Sequence, residues 1–157
     1  MSIVDVLLSI QTSRFSHAIA EANHLLIASL QIVHVFGFIF LLAPLLLIGL
    51  RVLGLVLRDQ PLHDVVGQSK KLSWLGLAMA LTSGVLMFLS APLHYYSNWA
   101  FDAKMALLLA ALLIYAGFFI GAASQESAHP RLAKILVCLS LLSWVAVCMA
   151  GRAIGFV

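Results

Sequence analysis

Six histidines stand in a chain of 157 residues that is 63% hydrophobic and only 10% charged. His34 falls inside an uncharged apolar block, where an ionisable side chain is expensive and by default faces a bundle interior with a functional partner. A neutral imidazole in such a place is a common ligand for haem iron and for copper. The plainer reading is a histidine hydrogen-bonded to a carbonyl or to Gln31. His94 follows the second apolar block. If that helix runs on through Pro92, steps of three or four residues connect His94 to Ser90, Met87, Ser83, Ala80 and Gly76, the small and polar face of the block. Pro92 can kink the helix at this point, and a loop histidine is the alternative. Lys104 opens the third block and Arg152 closes the fourth. Both are expected either to snorkel towards headgroups or to pair with carboxylates such as haem propionates, with Asp102 a local alternative partner for Lys104. His24 is a reserve ligand on a different helical face, His17 is interfacial, and His63 and His129 lie in loops.

Other chemistry is poorly represented. There is no HExxH, no Gly-rich phosphate loop and no paired-carboxylate site. Cys138 and Cys148 are the only cysteines. Ten positions at roughly 100° each put them on different faces of one helix, so they read as packing residues. Copper would prefer several nitrogen or sulfur ligands close together, and no Met lies three or four residues from His34. The basic residues sit singly or in pairs at the ends of apolar blocks. Nucleic acid is therefore excluded as a partner.

The elements that must position these residues are membrane spans. A mean hydropathy of +1.09 leaves too little polar surface for a soluble particle, against roughly 25% charged residues in an ordinary globular chain. Residues 31–50, 72–93, 105–125 and 135–151 carry no charge, and about 20 apolar residues suffice for a helix to cross a bilayer. Strand alternation is absent. The expected fold is all-α, a four-helix transmembrane bundle in a single domain over residues 1–157, with spans near 25–57, 72–94, 102–125 and 132–156. Residues 1–24 are expected to form a short amphipathic helix in the interface, since Ile3, Val4, Leu7, Leu8 and Ile10 recur at helical spacing. Ala18-Ile19-Ala20 mimics a signal-peptidase site, but no Lys or Arg precedes Arg14, so the segment is expected to be retained.

Charge sets the expected direction. Arg51, Arg58, Lys70, Lys71, Arg131 and Lys134 fall on one side, and Arg14, Lys104 and Arg152 on the other. The positive-inside rule then puts both termini outside, periplasmic for a bacterial inner membrane protein. His34, His94, Lys104 and Arg152 come together near that outer surface. Gly76, Ala80 and Gly84 in the second span, and Gly117 and Gly121 in the third, permit close helix packing, a flat cofactor or a homo-oligomer.

The segment LQIVHVFGFIFLLAPLLLIGLRVLG resembles the first span of a family of uncharacterised bacterial four-helix membrane proteins, with its histidine at His34. TSGVLMF and NWAFDAKMALLLAAL resemble that family's second-to-third span junction, including Phe101 and Lys104. GRAIGF resembles its terminal motif at Gly151 and Arg152. More distantly, a histidine in the first span and a lysine opening the third are similar to HemJ-type haem proteins and CopD-type copper-resistance proteins. That resemblance implies b-haem binding or copper handling, with His34 and Lys104 carried over.

The expectation is a membrane-embedded haem b protein with His34 and His94 as axial ligands and Lys104 and Arg152 on the propionates. Its role would be one-electron transfer between the membrane, through quinone, and a periplasmic redox partner. The alternatives are a copper-binding or copper-transport protein using His34, His94 and His24, and a cofactor-free scaffold or accessory subunit.

Overall fold

The computed structural model describes residues 2–21, 24–124 and 130–156, and omits the side chains of residues 20, 24, 118–124 and 130. Within those residues the secondary structure is entirely helical. Two short helices, α1 (Ile3–Gln11) and α2 (Arg14–Ala20), precede the long α3 (His24–Leu53) and α4 (Leu62–Ser90). A five-residue α5 (Pro92–Tyr96) leads into α6 (Trp99–Ser124), α7 (Pro130–Ala153) and a closing 3₁₀ turn at Ile154–Phe156. The stretches Leu25–Leu53, Leu62–Ser90, Trp99–Gly117 and Arg131–Phe156 are each long and apolar enough to cross a membrane. At about 1.5 Å per residue, even the shortest approaches the ~30 Å of a hydrocarbon core. The chain thus has the build of a multi-pass membrane protein.

Small residues decide how the long helices meet. A Cβ on Gly37 would lie 2.6 Å from the Ala80 nitrogen and 2.9 Å from the Gly76 oxygen, so only glycine lets the α3 and α4 backbones approach this closely. Gly117 is different: nothing lies within 4 Å of where its Cβ would stand. α6 packs mainly on α7, and α3–α7 and α4–α6 contacts close the bundle. Its centre holds Leu41, Leu45, Leu77, Ala111, Tyr115, Trp144 and Val147. Outward positions stay apolar, with Leu113 and Leu142 each about two-thirds exposed (65% and 66%). Such a surface suits lipid.

Local sequence explains the ends. α3 stops at a Schellman motif: Gly54 takes φ +76°, while Leu55 N–H donates to Leu50 O and Gly54 N–H to Arg51 O, satisfying carbonyls that lack helical partners. The Arg51 guanidinium then donates twice to Gln60 O, at 2.8 and 2.7 Å, fixing the following loop. α4 starts at Leu62, ahead of the charge-free block, because Val65, Val66 and Ser69 face inward and bury. α4 ends at Ser90, where Ala91 leaves helical geometry (φ −152°, ψ 62°). Pro92, which disfavours a helical predecessor, sits at the start of α5. The α4 helix therefore does not run on to His94.

The N-terminal segment is two helices because Ser13, in extended geometry, caps α2 by accepting from Ser16 N–H. Ser2 and Asp5 form a capping box on α1. Two polar hooks tie the pair to the bundle: Ser16 Oγ donates to Leu89 O at 2.6 Å, and Gln11 Oε1 accepts from Leu93 N–H at 3.4 Å.

Candidate functional site

His34 lies on α3, half-buried against α4. Its Nδ1 stands 3.0 Å from Ser83 Oγ, and the space comes from Gly84, whose Cβ position is 3.2 Å from the His34 Cε1. Ser83 is itself buried and spends its hydroxyl proton on Met79 O at 2.6 Å. Its oxygen therefore accepts from the ring, and Nδ1 is the donor. In a neutral ring protonated on Nδ1, Nε2 carries the lone pair. This is how a ligating histidine is prepared, one nitrogen held by a neighbour and the other left to bind.

Lys104 comes to the same region from α6. Its stem packs on Gly151 of α7, with Nζ 3.6 Å from where a Cβ there would stand, and its charge is felt at His34. Cys148, one turn before Gly151, is within electrostatic reach of the ammonium. Among the described residues the ion pairs are His17–Glu21 and His63–Asp64. Asp102 is exposed and does not neutralise Lys104. A half-buried ammonium thus lies within electrostatic reach of the His34 imidazole, with no carboxylate for a partner among the described residues.

The structure leaves the other expected residues apart from this pair. His94 is exposed on α5, its ring edge-on to Tyr95 at 5.6 Å. Arg152 is exposed, with its guanidinium 4.8 Å from the Phe156 ring centre. Both belong to the same end of the bundle as His34. His24 opens α3, but its side chain lies outside the described residues, as does all of His129. Cys138 and Cys148 are both free and exposed rather than packed inside.

An aromatic layer walls this end. Phe88 stacks on Phe101 at 5.5 Å, Tyr95 tilts against both at 6.0 and 5.4 Å, and burial raises the Tyr95 phenol above its ordinary pKa. Asn98, buried, accepts from Ala100 N–H at 3.0 Å and donates to Ile154 O at 3.2 Å, joining the start of α6 to the chain's last turn. Ser83, Cys148 and Asn98 carry no motif. Ser83 and Cys148 could have been found only by their helical rotation relative to His34 and Lys104.

The donor chemistry separates the candidate cofactors. Among the described residues no group of three or more His, Cys, Asp or Glu is gathered as a bare metal ion would need. Haem asks less of the chain, because the macrocycle supplies four ligands and the protein one or two. A single prepared imidazole with an unpaired cation nearby fits that requirement.

The model of the Family of unknown function (DUF6644) matches residues 11–157. No curated protein and no solved structure matches the chain.

Proposed function

This chain belongs to the DUF6644 family, and from that premise we propose that it is a membrane-embedded haem b-binding protein of cytochrome b type. The observation that carries the reading is His34: Nδ1 is committed to Ser83, so Nε2 is the nitrogen left to serve as an axial ligand. Lys104, unpaired among the described residues, would hold a propionate, and Arg152, exposed at the same end, the other. His94 is the favoured second ligand, brought in from the exposed α5. Bound haem would supply one-electron redox chemistry. The chain's own contribution would be to fix the imidazole tautomer, place cations at the polar edge and exclude water with the Phe88–Phe101–Tyr95 layer. In this reading the protein lies in a bacterial inner membrane with both termini outside, passing electrons between quinone and a periplasmic partner.

The test is the absorption spectrum of the purified protein, oxidised and dithionite-reduced, with iron and copper quantified in the same sample. A sharp reduced b-type spectrum with stoichiometric iron is expected, and its spin state reports whether a second ligand is bound. His34→Ala should lose the haem. Full haem retention by that variant, stoichiometric copper without iron, or a colourless protein after haem reconstitution would each overturn the proposal.

A further inference from the structure

Two polar groups at the centre of the bundle lack partners among the described residues. Trp144 is 1% exposed and Ser140 2% exposed, yet among the described residues neither the indole Nε1 nor the Ser140 Oγ meets a hydrogen-bond partner. One turn apart on α7, they share a helical face. Other hydroxyls of the spans avoid this state by bonding a carbonyl of the preceding turn: Ser29 to Leu25 O, Thr82 to Ala78 O, Ser83 to Met79 O and Ser143 to Ser140 O. Ser140 departs from that habit at the place where departure costs most, since a buried group left unsatisfied keeps its full desolvation penalty.

The neighbourhood carries further polar groups. Trp144 stands perpendicular to Tyr115 with ring centres 6.4 Å apart. Tyr115 comes close to the buried Ser73, whose Oγ donates to Ser69 O at 3.1 Å. These groups belong to three helices, α4, α6 and α7. An indole N–H only donates, whereas a hydroxyl both donates and accepts. None of these groups carries the charge that would hold an ion. Water fits that pair, accepting from the indole and exchanging a hydrogen bond with the serine, and two to four polar partners are what a buried water takes.

We propose that Ser140 and Trp144 hold a buried water molecule in the bundle core, beside the Ser73–Tyr115 pair. Steps of four along α7 lead from Ser140 through Trp144 to Cys148, next to Lys104. The water is thus a polar station between the Arg51 end of the bundle and the His34–Lys104 region.

The measurement needs no cofactor, so its failure leaves the haem reading untouched. With ¹⁵N-tryptophan labelling, the Trp144 indole resonance is identified by replacing the exposed Trp74 and Trp99 with Phe, and water-selective cross-relaxation is recorded at its N–H. A direct cross-peak to a long-lived water is expected, and Ser140→Val, which fills the space, should abolish it. Ser140→Ala keeps the helix and should weaken the peak by enlarging the site and removing one anchor. No water cross-peak in the unsubstituted protein, as a direct Trp144–Ser140 hydrogen bond would give, overturns the proposal. So does a cross-peak that survives Ser140→Val.

Discussion

At the scale of residues, the chemistry turns on which nitrogen of His34 carries the proton. Ser83 settles this, because its own hydroxyl proton is taken by Met79 O. Ser83→Ala leaves the helix intact, alanine being the better helix former, but releases Nδ1. Haem titration should show affinity falling on the order of 10- to 100-fold, the usual effect of losing the partner that orients a ligating histidine; Ser83→Thr should restore it. Lys104 gives a prediction with two opposite signs. A half-buried ammonium with no carboxylate partner among the described residues is a burden on the cofactor-free protein, so Lys104→Met should raise its thermal midpoint. The same change should weaken haem binding about tenfold or more, since hydrogen bonds to charged groups contribute roughly 1.5–3 kcal/mol. An anchor that merely snorkels to headgroups would give the reverse, a lower midpoint and unchanged haem affinity. The meeting of His34 and Lys104 near one level was legible from their positions in the apolar blocks. The roles of Ser83 and Cys148 were not, because depth can be read from the sequence whereas relative helix rotation depends on packing.

At the scale of elements, the α3–α4 contact sets that rotation. Gly37 and Gly76 meet backbone rather than flexible side chains, so neither can take a larger residue without moving a helix. Gly76→Val should cost at least the ~1–3 kcal/mol typical of overpacking and should also displace His34 from Ser83. Thermal unfolding in detergent would show a lower midpoint, and haem affinity should fall with it. Gly117→Val is the control: with nothing within 4 Å of its Cβ, it should leave the isolated bundle unchanged. The sequence marks Gly76–Ala80–Gly84 and Gly117–Gly121 equally, since spacing alone does not say which small residues face a neighbour. Hydropathy has a similar blind spot at the start of α4, where Lys70 and Lys71 interrupt the apolar run although Val65, Val66 and Ser69 are buried. The α4–α5 break was foreshadowed by Pro92, but only the backbone of Ala91 shows that the helix ends there and releases His94 from the face shared by Ser83, Ala80 and Gly76.

At the scale of the whole molecule, the four spans leave one binary choice. An even number of crossings keeps α1, α2, α5 and the Ile154–Phe156 turn at one end. Ser16 to Leu89 and Gln11 to Leu93 bind the N-terminal helices there as well. The opposite end carries Arg51, Arg58, Lys70, Lys71, Arg131 and Lys134, and basic residues in short loops resist translocation. The α5 end should therefore face outward. His34, ten residues into α3, would then lie about 15 Å along the helix from its outer tip, within reach of a periplasmic donor or acceptor. Cysteine labelling reads the choice directly. In a Cys138→Ala/Cys148→Ala background, Ser2→Cys and Gly155→Cys should react with a membrane-impermeant maleimide on intact spheroplasts, while Asp59→Cys reacts only after permeabilisation. All three positions are exposed, so failure to label reports sidedness rather than burial. The inverse pattern would place the His34–Lys104 region against the cytoplasm. That would remove the periplasmic partner from the reading while leaving haem binding, which depends on the site and not on its side, to stand on the spectrum.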